Sequence, residues 1–101
     1  MILWQPRVPP HIADFIRHLP PAIKRDVKLA LRTLSTDPHA GSPLERELKG
    51  LWKYRNRSFR IIYRIVPEQH HLDILAIGYR PTIYDLVRQQ RQETGEGTSP
   101  S

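Results

Sequence analysis

The sequence predicts an α+β domain with the order β-α-α-β-β-β-α: an antiparallel sheet, an N-terminal helix hairpin on one of its faces, and a C-terminal helix. Three observations carry this expectation. Two apolar stripes at helical spacing lie between residues 11 and 35 and are split by Pro20-Pro21. Residues 51–65, LWKYRNRSFRIIYRI, alternate instead with a period of two. A mostly apolar run, HHLDILAIGYR, follows at 70–80. Helices and strands that do not alternate one for one segregate into separate layers, which is the α+β arrangement.

Each element has a local reason. ILWQPRV, 2–8, makes a short first strand, and Pro6, lacking an N–H, confines it to a sheet edge or interrupts it. HIADFIRHL sets Ile12, Phe15, Ile16 and Leu19 at helical spacing. Pro20-Pro21 ends that helix and pre-sets the first turn of the next. The second helix, about 21–35, places Ile23, Val27, Leu31 and Leu34 on one stripe, with Lys24, Arg25, Lys28 and Arg32 outside it. The pair forms a hairpin with a joint apolar face. DPHAGSP, 37–43, is a loop by composition. The run at 70–80 reads as a well-covered strand with a glycine near its end. Pro81 begins a last helix over about 82–91, with Ile83, Leu86 and Val87 as its apolar side. The polar ETGEGTSPS that follows reads as disorder, so the domain spans 1–91 and the tail 92–101.

Composition narrows the function classes. A chain of 101 residues suits one small domain. There are no cysteines, which excludes disulfides and thiolate metal sites and fits a reducing cytoplasm. No apolar run reaches the length of a membrane span, roughly 18 residues or more, and MILWQPRVPP does not read as a signal peptide. A cytoplasmic location with no membrane partner is therefore expected. The histidines, His11, His18, His39, His70 and His71, show no metal-binding spacing, so neither a metal nor a cofactor is expected. The net charge of +6 favours acidic partners, and it is concentrated. Between Leu48 and Val66 no acid faces Lys49, Lys53, Arg55, Arg57, Arg60 and Arg64.

The alternation at 51–65 resolves that charge into a surface. With Asn56-Arg57 as the tip of a two-residue turn, Arg55 lies opposite Ser58, Lys53 opposite Arg60, Leu51 opposite Ile62 and Lys49 opposite Arg64. One face then carries Lys49, Leu51, Lys53, Arg55, Ser58, Arg60, Ile62 and Arg64; the other carries Trp52, Tyr54, Phe59, Ile61, Tyr63 and Ile65. The apolar face can lie on the helices. Like charges directly opposite one another cost stability, so a basic face without carboxylates points to an anion that neutralises it. A phosphate chain is the natural candidate, because Arg binds it with a planar donor fork.

These residues also resemble a known family. Leu48, Gly50, Phe59-Arg60, Ile61, Tyr63, Ile77-Gly78-Tyr79-Arg80 and Tyr84, together with the element order, are similar to the pattern of the RelE/ParE toxin superfamily of type II toxin–antitoxin systems. The resemblance covers roughly residues 10–90 and is specific in its second half. It implies a small toxin neutralised by a cognate antitoxin, in a complex of the kind that binds operator DNA. Two activities occur in the superfamily. The RelE-like branch cleaves mRNA, usually in the ribosomal A site; the ParE-like branch poisons DNA gyrase. The RelE-like branch has basic residues on the strand before a conserved Arg, a second Arg after the Ile-Gly, and a C-terminal Tyr. Lys53 and Arg55, Arg60, Arg80 and Tyr84 fill those positions, which favours the nuclease.

Catalytic roles follow from that resemblance. Metal-independent cleavage uses the substrate 2′-OH to attack the adjacent phosphorus, leaving a 2′,3′-cyclic phosphate and a 5′-OH. Arg60 and Arg80, always charged, suit charge stabilisation at the phosphoryl oxygens and not proton abstraction. Tyr84 is the favoured proton-transfer or orienting group, and Lys53 the phosphate ligand or alternative base. Lys49, Arg55, Arg57 and Arg64 are the expected RNA contacts around them. A gyrase-directed toxin and a non-catalytic module binding nucleic acid or antitoxin are the competing readings.

Overall fold

The computed structural model describes residues 3–56 and 58–80. It contains helices α1 (Pro10–Arg17) and α2 (Pro21–Thr36) and strands β1 (Gln5–Arg7), β2 (Ser42–Pro43), β3 (Trp52–Arg55), β4 (Phe59–Val66) and β5 (His71–Tyr79). The strands form one sheet in the order β1-β5-β4-β3-β2. The expected α+β layering is therefore present. The expected last helix at 82–91, its Tyr84 and the tail 92–101 lie outside the described residues.

Proline starts both helices. Pro9-Pro10 and Pro20-Pro21 supply the N-cap and first helical positions, where a missing N–H costs nothing. The helices bury Ile12, Ile16, Ile23, Val27, Ala30 and Leu34 against Phe59, Ile61, Tyr63, Leu72 and Ile74 of the sheet, with Leu19 closing the helix turn. Phe15 departs from expectation. It stands 40% exposed, because Ile12, Ile16 and Leu19 already fill the side of α1 that meets the core.

Four further departures concern the sheet. First, it is mixed and not purely antiparallel: β1 runs parallel to β5, with Gln5 opposite His71. Its edge position does match the expectation from Pro6. Second, the presumed loop 37–43 contains a 3₁₀ turn at Pro38–Ala40 and then β2, which pairs with β3 through Ser42↔Lys53 and Pro43↔Trp52. Pro43 blunts this second edge as Pro6 blunts the first.

Third, the β3–β4 hairpin is shifted by two residues from the expected register. Arg55 lies opposite Arg60, Lys53 opposite Ile62, Tyr54 opposite Ile61 and Trp52 opposite Tyr63. The Asn56 N–H closes the turn on the Phe59 carbonyl at 2.9 Å. The shift is even, so the paired side chains keep their expected faces, while Ser58, left in the turn, is buried. Lys49 also departs. It ends a 3₁₀ turn at Arg46–Leu48, before Gly50 turns the chain at φ 99°, and so does not belong to the paired hairpin opposite Arg64.

Fourth, β5, expected to be well covered, has one face open among the described residues and is not evenly pleated. The β4 partners run Ile62↔Ala76 and then Tyr63↔Ile74, which leaves Leu75 as an extra residue, a β-bulge. The bulge changes which residues face the helices. Leu72 and Ile74 face the core before it, Ile77 and Tyr79 after it. Leu75, Ala76 and Gly78 are left exposed.

Candidate anion-binding site

The site grows from the end of the hairpin. Beyond the Asn56–Phe59 closure, Ser58 is buried and its carbonyl accepts the Arg80 N–H at 2.7 Å. That bond ties the hairpin turn to the residue just past β5. The bulge at Leu75 has already turned Gly78 towards the outer face, directly opposite Arg60. Arg55 sits opposite Arg60 on its other side. Arg55, Arg60 and Arg80 thus line one open pocket of about 350 Å³, together with Asn56, Ser58, Phe59, Gly78 and Tyr79.

No carboxylate is among those lining residues. Arg55 and Arg60 are both exposed and occupy directly opposed positions, where like charges repel. Such a pocket holds an anion with several oxygens better than a neutral ligand, because each guanidinium offers a fork of donors.

The remaining candidates separate from this group. Lys53 is half-buried on the same face of β3, opposite Ile62, but does not line the pocket. Arg64 lies on the same sheet face further along β4. There its guanidinium donates to Asp73 Oδ2 at 2.7 Å. That bond holds the Asp73 carboxyl below its ordinary range, with His71 Nε2, 3.1 Å from Asp73 Oδ1, adding to the same effect. Lys49 is exposed on the segment preceding β3. Arg57 and Tyr84 lie outside the described residues.

Sequence reasoning missed Asn56 and Gly78 as pocket residues and placed Ser58 on the solvated face. Gly78 carried a signal, an isolated glycine inside an apolar strand pattern, which marks a bulge or a close approach. Four histidines have visible partners: His18 Nδ1 lies 2.9 Å from the Asp14 carbonyl oxygen, His39 meets the Trp52 ring edge-on at 5.0 Å, His70 stacks on Trp4 at 4.1 Å, and His71 faces Asp73. The floor behind β3 is set by Tyr63. Its hydroxyl donates to the Pro38 carbonyl at 2.6 Å and accepts the Gly41 N–H at 3.2 Å. Burial pushes this phenol above its ordinary pKa, and the Gly41 N–H pulls the other way.

Comparison with known proteins fits this architecture. Residues 2–84 match the family model described as the ParE toxin of the type II toxin–antitoxin system parDE. Toxin RelG of Mycobacterium tuberculosis is 38% identical over 71 residues, which is 68% of this chain and 82% of that protein. The toxin–antitoxin complex RelBE2 of the same organism contains a chain that superposes with a TM-score of 0.70 at 33% identity, covering 79% of this chain and 94% of that one. The isolated E. coli RelE toxin shares the fold, with a TM-score of 0.63 at 13% identity over 89% of this chain and 98% of its own.

Proposed function

The chain belongs to the ParE toxin family, within the RelE/ParE superfamily of type II toxin–antitoxin toxins, and from that premise we propose that it is an mRNA endoribonuclease. The observation that carries the reading is the convergence of Arg55, Arg60 and Arg80 on one pocket with no carboxylate among its described lining residues. In-line attack by a 2′-OH puts additional negative charge on the phosphoryl oxygens. Fixed cations around the phosphate lower the energy of that state relative to the ground state. Arg60 and Arg80 take this role, and Arg55 holds the neighbouring phosphate. Tyr84 is the proposed proton-transfer group and Lys53 the alternative. Lys49, Arg57 and Arg64 extend the RNA track, with the Arg64 guanidinium also donating to Asp73.

The ribosomal A site is the proposed setting, and a cognate antitoxin, as in the RelBE2 complex, the neutralising partner. Mapping of mRNA 5′ ends after induction is the test. Wild type should produce new ends at codon positions, and an Arg60→Ala/Arg80→Ala double variant of unchanged fold should produce none. Undiminished cleavage by the double variant would remove the site assignment.

One observation favours a second reading. The described groups lining the pocket include no Lys, His or carboxylate that could accept a proton at neutral pH. A toxin that only grips a polyanion, or that acts on DNA gyrase, needs no such group. Induction would then leave mRNA intact, and purified gyrase would stall if it were the target.

A further inference from the structure

Gly78 interrupts a nine-residue strand, β5, and glycine weakens a strand interior because it packs nothing and orders a freer chain. The usual reasons for accepting that weakness are absent here. The backbone does not demand it: the positive-φ glycine among the described residues is Gly50, not Gly78. The surroundings do not demand it either. Among the described residues other than its chain neighbours, a Cβ built on Gly78 would come no nearer than 3.8 Å to any atom, an ordinary contact, and the atoms it would meet are Cγ and Nε of Arg60. Gly41 shows the contrast, since a Cβ there would stand 2.6 Å from the Lys53 carbonyl oxygen. What remains is the space itself. Gly78 is exposed, lies opposite Arg60, and lines the same pocket as Arg55 and Arg80.

We propose that Gly78 is the bare floor of the site, kept free of a side chain so that the sugar–phosphate backbone of single-stranded RNA can lie against the sheet beside Arg60. The inference rests on the phosphate-binding reading above and adds a positioning residue to it. A side chain here would lift the phosphate from the flank of the Arg60 guanidinium, while a Cβ alone meets Arg60 only at ordinary contact distance. The strand itself would gain, because alanine and valine suit a β-strand better than glycine.

The test measures stability and binding together. Full-length wild type, Gly78→Ala and Gly78→Val are compared by thermal melting and by anisotropy with a short fluorescent oligoribonucleotide carrying 2′-O-methyl groups. Binding to the cognate antitoxin is measured in parallel. The expected result is an equal or higher Tm in both variants and RNA affinity reduced about tenfold or more in Gly78→Val, less in Gly78→Ala. Antitoxin affinity should stay within a factor of about two, because most single contacts in a protein interface carry little of its binding energy.

RNA affinity that stays at the wild-type level in both variants overturns the proposal. So does a lower Tm in Gly78→Ala, which would make the glycine structural. Loss of antitoxin binding with RNA binding intact overturns it as well, because the floor would then serve a protein chain. Failure of the underlying reading looks different: Arg60→Ala and Arg80→Ala would bind the oligoribonucleotide as well as wild type does.

Discussion

At the scale of single residues, Gly41 and Gly78 use the same atom deficit for opposite purposes. Gly41 is closed in by the Lys53 carbonyl and the Tyr63 hydroxyl, each 2.6 Å from where a Cβ would stand. Gly41→Ala should therefore cost about 1–3 kcal/mol, seen as a lowered denaturant midpoint, because backbone must move. Tyr63 joins the same knot, wholly buried with its hydroxyl between Pro38 and Gly41. Tyr63→Phe keeps the ring and strands both backbone partners, a loss of roughly 1–3 kcal/mol. The raised Tyr63 pKa adds a sign. A group with a higher pKa in the folded state stabilises that state below its unfolded value and loses the contribution as pH rises through the folded one. The wild-type advantage over Tyr63→Phe should thus shrink only above about pH 10.

At the scale of elements, the β3–β4 hairpin holds its two chemistries on two faces and accepts repulsion on one of them. Arg55 opposite Arg60 is unfavourable for the free protein. Arg55→Ala should raise stability by a few tenths of a kcal/mol, roughly, in urea unfolding, while weakening RNA binding. A fall in both would argue that Arg55 is structural. Further along, β4 and β5 are joined across the outer face by Arg64 and Asp73. The Arg64 hydrogen bond lowers the Asp73 pKa in the fold, so this contribution is present above the ordinary carboxylate value and lost as pH falls through the folded one. Asp73→Asn should lower Tm at neutral pH, and the difference from wild type should close below about pH 4.

At the scale of the whole molecule, charge and shape are arranged so that one face of the sheet packs and the other presents the arginines. The helices take the face of Phe59, Ile61, Tyr63, Leu72 and Ile74; the arginines take the opposite one. Both edges end in proline-bearing strands, β1 and β2, which discourages pairing with another chain at the edges. Polyanion binding on the open face should be dominated by counterion release. With three arginines at the pocket, a plot of log affinity against log salt for single-stranded RNA should have a slope of roughly −2. A slope near zero would mean that the arginines do not touch phosphates.

The layering, the helix hairpin, the even-register hairpin and the two-faced character of 51–65 were all legible in the sequence. Period and proline placement depend on local sterics, which a string of residues displays directly. Arg60 could be singled out for the same reason: its parity follows from a short hairpin whose shift was even. Three features needed the fold. The parallel pairing of β1 with β5 joins segments some 65 positions apart, which no local pattern reports. The bulge at Leu75 reverses the facing of everything after it, so uninterrupted alternation would have put Gly78 in the core and Ile77 and Tyr79 outside. The division of the cations was the third. Residue order alone determined that this chain carries a concentrated positive charge; tertiary structure decided that Arg64 faces Asp73 while Arg55, Arg60 and Arg80 share a pocket with no carboxylate among its described lining residues. The physical reason is that charge is additive along a chain, whereas a binding site depends on distances that only packing sets.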